Sequence, residues 1–259
     1  MPFKLCLAPW IVLLCIGFHA SPFPTVLFTS AAIGNDVFFS HADLFESPRR
    51  DISGTAYMDC NGDSLADIVT MSATDNIATI FRSVGANSFD GGSNINPPTG
   101  SAQPSSVAVG DFDGDSDLDF VVGFLSGPYL FVWFENTGLN SCTYIPNTTG
   151  IHPSSRADNR TSVIVRTSHF DSPNTQMDVT VLASFPDPTS ELFVYMAPAF
   201  NESDAVLVSS DFASPPKCLT LGDNNRDNIP DILVGMNTSN HQAEQPVSYI
   251  FIVDFLLAS

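Results

Sequence analysis

Residues Val107–Gly123 read VAVGDFDGDSDLDFVVG, with five aspartates (Asp111, Asp113, Asp115, Asp117 and Asp119) inside nine residues and valine-rich runs on both sides. Carboxylates held this close repel one another, so a folding chain keeps them together only if something compensates the charge. Three arrangements do so: a metal ion, a catalytic carboxylate cluster, or a solvated acidic loop.

The stretch has relatives along the chain. Ala56–Val69 reads AYMDCNGDSLADIV and Leu219–Val234 reads LTLGDNNRDNIPDILV. Aligned on Asp59, Asp111 and Asp223 as position 1, the copies share one frame. Position 3 is Asn61, Asp113 or Asn225, position 5 is Asp63, Asp115 or Asp227, and position 9 is Asp67, Asp119 or Asp231. A degraded copy, Val163–Leu182, reads VIVRTSHFDSPNTQMDVTVL. It places His169 at position 1, Asp171 at position 3, Asn174 near position 5 after a one-residue insertion, and Asp178 at position 9. First positions at 59, 111, 169 and 223 are spaced by 52, 58 and 54 residues, a regular repeat.

Each acidic loop leads into a β-branched apolar run, and each period holds a second hydrophobic run: Ile77–Phe81, Tyr129–Phe134, Leu192–Met196 and Val247–Val253. Gly, Asn, Pro and Ser fill the gaps, and no stretch has the 3.6-residue period of an amphipathic helix. A period of this length holding four short strands has the size of a propeller blade. The chain therefore reads as all-β, built from consecutive four-stranded antiparallel units.

Oxygen-rich ligand sets suit calcium, which takes about six to eight oxygens from carboxylates, amides, backbone carbonyls and water. Side chains at positions 1, 3, 5 and 9, with the backbone carbonyl of position 7 (Leu65, Asp117 or Ile229), wrap one ion in a tight loop. Gly62 and Gly114 at position 4 let the chain turn back, and Arg226 replaces them in the last copy. An EF-hand shares the opening D-x-[DN]-x-[DN] but needs Glu at position 12 and flanking helices. Here position 12 is Thr70, Val122 or Val234 and the flanks read as strands, so that motif is excluded. A solvated acidic loop does not explain three copies in register beside apolar strands.

GDFDGDSDLDFVVG and its siblings resemble the FG-GAP/VCBS repeat, the calcium-loop blade of integrin α-subunit propellers and of many secreted repeat proteins. The resemblance covers roughly residues 50–255. It implies a β-propeller with one calcium per intact loop, set between the first two strands of a blade. The implied side-chain ligands are Asp59, Asn61, Asp63 and Asp67; Asp111, Asp113, Asp115 and Asp119; and Asp223, Asn225, Asp227 and Asp231. The third loop, with His169 and its insertion, is expected to be empty. Propellers of this kind usually close with about seven blades. This chain offers four, at about 50–100, 101–155, 156–213 and 214–259 within a propeller region 49–259, plus an N-terminal strand segment or partial blade at 21–48. An open arc leaves two blade faces unburied, so a truncated chain, further blades or pairing with another chain is expected.

Residues 1–20 carry Lys4, the apolar run Leu5–Phe18 and small residues near Ala20, the pattern of a secretory signal peptide. The run is short for a bilayer span of about 20 residues, and no second run is long enough to cross. Four N-x-[ST] sequons, at Asn147, Asn159, Asn201 and Asn237, fit a secreted glycoprotein. Outside the leader the cysteines are Cys60, Cys142 and Cys218, enough for one disulfide of unassigned pairing and one free thiol. A formal charge of −19, with lysine only at Lys4 and Lys217, argues against nucleic acid and favours cations as partners.

Gly62-Asp63-Ser64-Leu65 spells the nucleophile motif of secreted GDSL esterases. The Asp-x-x-His that activates the serine there has no counterpart: none of the five histidines has Asp three residues before it. Gly34-Asn35-Asp36 lies upstream rather than downstream of the serine, and Ser214-Pro215-Pro216-Lys217 cannot form the helix that S-x-x-K needs. His41, His152 and His241 are isolated. The expected function is a secreted, non-catalytic, calcium-binding adhesion or ligand-binding module facing a protein or glycan. The alternatives are a GDSL-like esterase around Ser64 or a non-catalytic fragment of a larger secreted enzyme.

Overall fold

The computed structural model describes residues 51–85, 88–138, 141–147, 159–170, 176–187, 189–197, 200, 205–210, 212, 215–238 and 247–253. The signal peptide expected at 1–20, the segment 21–48, and Asp171, Asn174 and Asn201 lie outside them. Strands, turns and bends make up the described residues, with no helix among them and none long and apolar enough to cross a membrane.

Strands β1 (Ile52–Met58), β2 (Asp67–Ser72) and β3 (Ile77–Phe81) begin the first sheet. A small hairpin, β4 (Ser83–Gly85) and β5 (Ser88–Phe89), interrupts it before β6 (Ser93–Ile95) closes the order β1-β2-β3-β6. The second sheet contains β7 (Ala102–Gly110), β8 (Asp119–Ser126), β9 (Phe131–Asn136) and β10 (Tyr144–Asn147), paired as a meander. The third repeats this with β11 (Ser162–Ser168), β12 (Asp178–Ser184), β13 (Ser190–Tyr195) and β14 (Ala205–Ser209). In the fourth, β15 (Pro216–Gly222), β16 (Asp231–Thr238) and β17 (Val247–Val253) form three strands among the described residues, where the sequence pattern leads one to expect four. The fold is all-β: successive antiparallel sheets with the layout of propeller blades.

Alternation along each strand drives the stacking. In β8, Val121 joins a core with the third sheet, whereas Phe120 and Val122 join a core with the first. In β9, Phe131 and Trp133 face the third sheet while Val132 and Phe134 face the first. Because both faces of the second sheet are covered, its middle strands are apolar at consecutive positions rather than at every second one. The same division in the third sheet sends Val181 and Phe193 one way and Leu182, Leu192 and Val194 toward β16. Phe120 stacks on Phe134 at 4.6 Å and tilts against Tyr144 at 4.8 Å, aromatic pairs worth about 0.5–1.5 kcal/mol each beyond area burial.

Strands β7 and β11 run side by side in the same direction. Ser106 Oγ accepts from Val165 N at 3.0 Å and donates to Val163 O at 2.9 Å, and four residues on, Thr167 Oγ1 donates to Val109 O at 2.7 Å. Parallel first strands bring the loops that follow them out at one end of the stack. The outer strands β6, β10 and β14 are short and more exposed, which limits edge-to-edge association.

Candidate metal centre

The register places the acidic loops identically. Met58 pairs with Asp67, Gly110 with Asp119 and Gly222 with Asp231, so each loop occupies 59–66, 111–118 or 223–230 between the first two strands of its sheet. In the third sheet Ser168 pairs with Asp178, and the connection 169–177 is one residue longer, the insertion visible in the alignment.

Within the loops, side chains at positions 1, 3 and 5 fold inward onto the backbone. Asp111 accepts from Gly114 N at 2.6 Å and Ser116 N at 3.0 Å; Asp113 accepts from Asp115 N at 3.1 Å, and Asp115 from Asp117 N at 2.8 Å. Asp59 likewise accepts from Asp63 N and Ser64 N, and Asp63 from Leu65 N. Asp223 accepts from Arg226 N and Asn228 N, and Asp227 from Ile229 N. In the two loops with asparagine at position 3, Asn61 and Asn225 each accept from the N–H of position 5 and donate to its carboxylate.

These turns require left-handed backbone at two places. Position 4 has φ of 72° at Gly62, 83° at Gly114 and 67° at Arg226; position 6 has 66° at Ser64, 75° at Ser116 and 68° at Asn228. The need at position 4 was legible from the glycines, but the need at position 6 was not, because Ser and Asn fill it. Ser64, the serine of the GDSL letters, is thus a loop residue whose N–H donates to Asp59, set between strands of an all-β fold.

Position 9 has a function that sequence reasoning missed. Asp67, Asp119, Asp178 and Asp231 are each at most 1% exposed. Every one accepts the N–H of position 2: Cys60 at 2.9 Å, Phe112 at 3.1 Å, Phe170 at 2.8 Å and Asn224 at 2.6 Å. The other oxygen of the first three accepts an N–H just beyond or at the end of the third strand, from Ser83, Asn136 and Ala197 at 2.7–2.8 Å. Position 9 therefore ties loop to sheet whether or not the loop holds an ion. The clue in the sequence was its persistence as Asp178 in the degraded copy.

Burial acts on these acids. It pushes the Asp119 carboxyl up to about 7 against the pull of the Asn136 and Phe112 N–H groups. Burial also raises Asp67, with the charges of Asp63 and Asp59 adding to it, and raises Asp113, with Asp115 and Asp111 adding. Asp117 is shifted the same way by slight burial and then by Asp115 and Asp111. In all four, burial is the largest cause and the charge of neighbouring aspartates adds to it.

Carboxylate oxygens of Asp111, Asp113 and Asp115 lie within 4.8 Å of one another. An all-oxygen set of hard donors at the mouth of a tight turn fits a divalent cation such as calcium and is a poor fit for soft metals. Cys60, Asp67 and Cys142 also cluster, but the sulfurs are joined as a disulfide and are not thiolate ligands. Cys218 is the free, exposed cysteine among the described residues.

In the first three loops, position 2 is covered by the neighbouring sheet. Cys60 is bonded to Cys142 in the β9–β10 turn of the second sheet, and Asn136 Nδ2 donates to Cys60 O at 2.9 Å. Phe112 inserts edge-on between Trp133 and Phe200, at 6.0 and 5.6 Å, and Phe170 enters the core between the third and fourth sheets. Asn224, by contrast, is exposed.

Residues 59–122, from the first position of the first loop into β8, match the family described as FG-GAP-like repeat. The matched segment spans the first two loops as the alignment and the sheets place them. No curated protein matches the chain.

Proposed function

We propose that this chain, with its FG-GAP-like repeat, is a secreted calcium-binding module of β-propeller type that acts without catalysis, as an adhesion or ligand-recognition surface. The observation that carries the reading is the common geometry of three loops, best developed where the oxygens of Asp111, Asp113 and Asp115 converge. One calcium per loop would be held by the side chains of positions 1, 3, 5 and 9 with the carbonyl of Leu65, Asp117 or Ile229. Bound there, the ion supplies positive charge that offsets the clustered carboxylates and ties the first two strands of a blade together.

Secretion is supported by the Cys60–Cys142 disulfide and by sequons at the exposed Asn159 and half-buried Asn147, alongside the apolar N-terminal run. Recognition rather than catalysis is supported by acids that recur in register in loop after loop, as ion sites do, instead of converging once as a reaction centre. A protein or glycan is the class of partner.

Thermal unfolding with calcium and with chelator tests this reading. Chelation is expected to lower the melting temperature markedly, and Asp111→Ala with Asp115→Ala to reproduce part of that drop with calcium present. A melting temperature indifferent to both would sink the proposal.

A further inference from the structure

The third loop departs from the others in a way that has a geometric use. His169 stands where the other loops have their first aspartate, and its Nδ1 lies 2.9 Å from the carbonyl oxygen of Gln176. Gln176 and Met177, at the end of this longer connection, lie against the second loop. There Gln176 Nε2 donates to Asp113 O at 2.7 Å, and Met177 N donates to Asp111 O, also at 2.7 Å. Met177 packs so closely on Gly110 that a Cβ at that glycine would lie 2.7 Å from its Sδ. Two carbonyls of the second loop, at its first and third positions, are therefore held from the neighbouring sheet.

We propose that Gln176 and Met177, where the degenerate third loop enters β12, clamp the second loop, and that Gln176 is a positioning residue setting how tightly the Asp111–Asp119 loop binds a divalent cation. This rests on the calcium reading given above. Fixing the peptides that bear Asp111 and Asp113 aims their carboxylates before the ion arrives, so less ordering remains to oppose binding. His169 holds Gln176 through its backbone and so contributes at one remove. The loss of ligands in one loop is in this way linked to better support of its neighbour.

Trp133 makes a local readout possible. Its indole is buried beside Asp119 and packs on Phe112, and the sequence has two tryptophans, the other being Trp10 in the N-terminal apolar run. Terbium used as the probe in the full chain should give tryptophan-sensitised luminescence dominated by the second loop. Gln176→Ala and the similarly sized Gln176→Met are each expected to shift that titration, and calcium competition against it, about three- to tenfold toward weaker binding. Metal-free melting of Gln176→Met should fall by only about 2–4 °C, the loss of one hydrogen bond, and the total number of sites should not change. Wild-type affinity in both variants would overturn the clamp alone. Wild-type affinity in Gln176→Met with weakening in Gln176→Ala would likewise overturn the donor role of Gln176, leaving only space-filling. A wild-type protein without saturable signal, or a signal that survives Asp111→Ala with Asp115→Ala, would overturn the calcium reading and the clamp with it.

Discussion

The second and fourth loops present nearly the same acidic frame, yet they are supported very differently. Asp111–Asp119 is enclosed: Phe112 lies in an aromatic cluster shared with the third sheet, and Gln176 and Met177 hold its carbonyls. Asp223–Asp231 has exposed residues at positions 1 to 6, polar Asn224 where the second loop has Phe112, and Arg226 where it has Gly114. The difference teaches that such a loop is a shared unit. Its acidic side chains come from one repeat, but part of its packing and hydrogen bonding comes from the next.

The largest expected effect comes from removing that shared packing. Phe112→Ala should destabilise by about 3–5 kcal/mol, the usual loss for a fully buried aromatic, whereas Asn224→Ala should stay within about 0.5 kcal/mol. Urea denaturation of the two variants compares them directly, and similar losses would erase the contrast.

A smaller effect concerns charge. In the folded, metal-free protein Asp119 is raised to about 7, above its unfolded value near 3.9, so the folded state holds the proton more tightly. Its contribution therefore grows as pH falls through about 7 and levels off below the unfolded value. Metal-free stability should rise by about 2 kcal/mol between pH 7.5 and 5, with Asp67, Asp113 and Asp117 acting in the same direction. Saturating calcium should flatten or reverse that slope, since the ion favours the charged carboxylates. Melting curves across this range, with and without chelator, measure it.

The smallest effect sharpens the comparison at position 4. Arg226 adopts φ 67°, a conformation that costs a residue with a Cβ roughly 1–2 kcal/mol. Arg226→Gly should stabilise the fourth sheet by about 0.5–1 kcal/mol after the added unfolded-state entropy of glycine is subtracted. A loss of stability in the same denaturation assay would show that the arginine side chain does more than occupy the turn.

Much of this organisation was legible in the residues. The period of the aspartates located the sheets, because each loop must sit where a strand pair begins. The insertion before Asp178 was visible too, since one added residue displaces the frame. The hairpin Ser83–Phe89 was not foreseen, for its strands are two or three residues long and carry no alternation to read. The hydrophobic run Tyr129–Phe134 does not coincide with its strand, which starts at Phe131 and reaches Asn136 after the turn around Gly127. The structural role of position 9 was hidden because an aspartate that ligates an ion and one that caps backbone N–H groups look the same in a string of letters.

Sequence alone determined that the chain is all-β, that its repeats each place an acidic turn between two apolar strands, and that oxygen donors recur at fixed spacing. These properties are local, set by side-chain period and turn chemistry over a dozen residues. Tertiary structure decided which cysteines pair, that Phe112 and Phe170 bind one sheet to the next, and that Gln176 reaches Asp113 across 63 positions of sequence. Those contacts depend on how sheets stack, and stacking brings together residues whose separation along the chain carries no periodic signal.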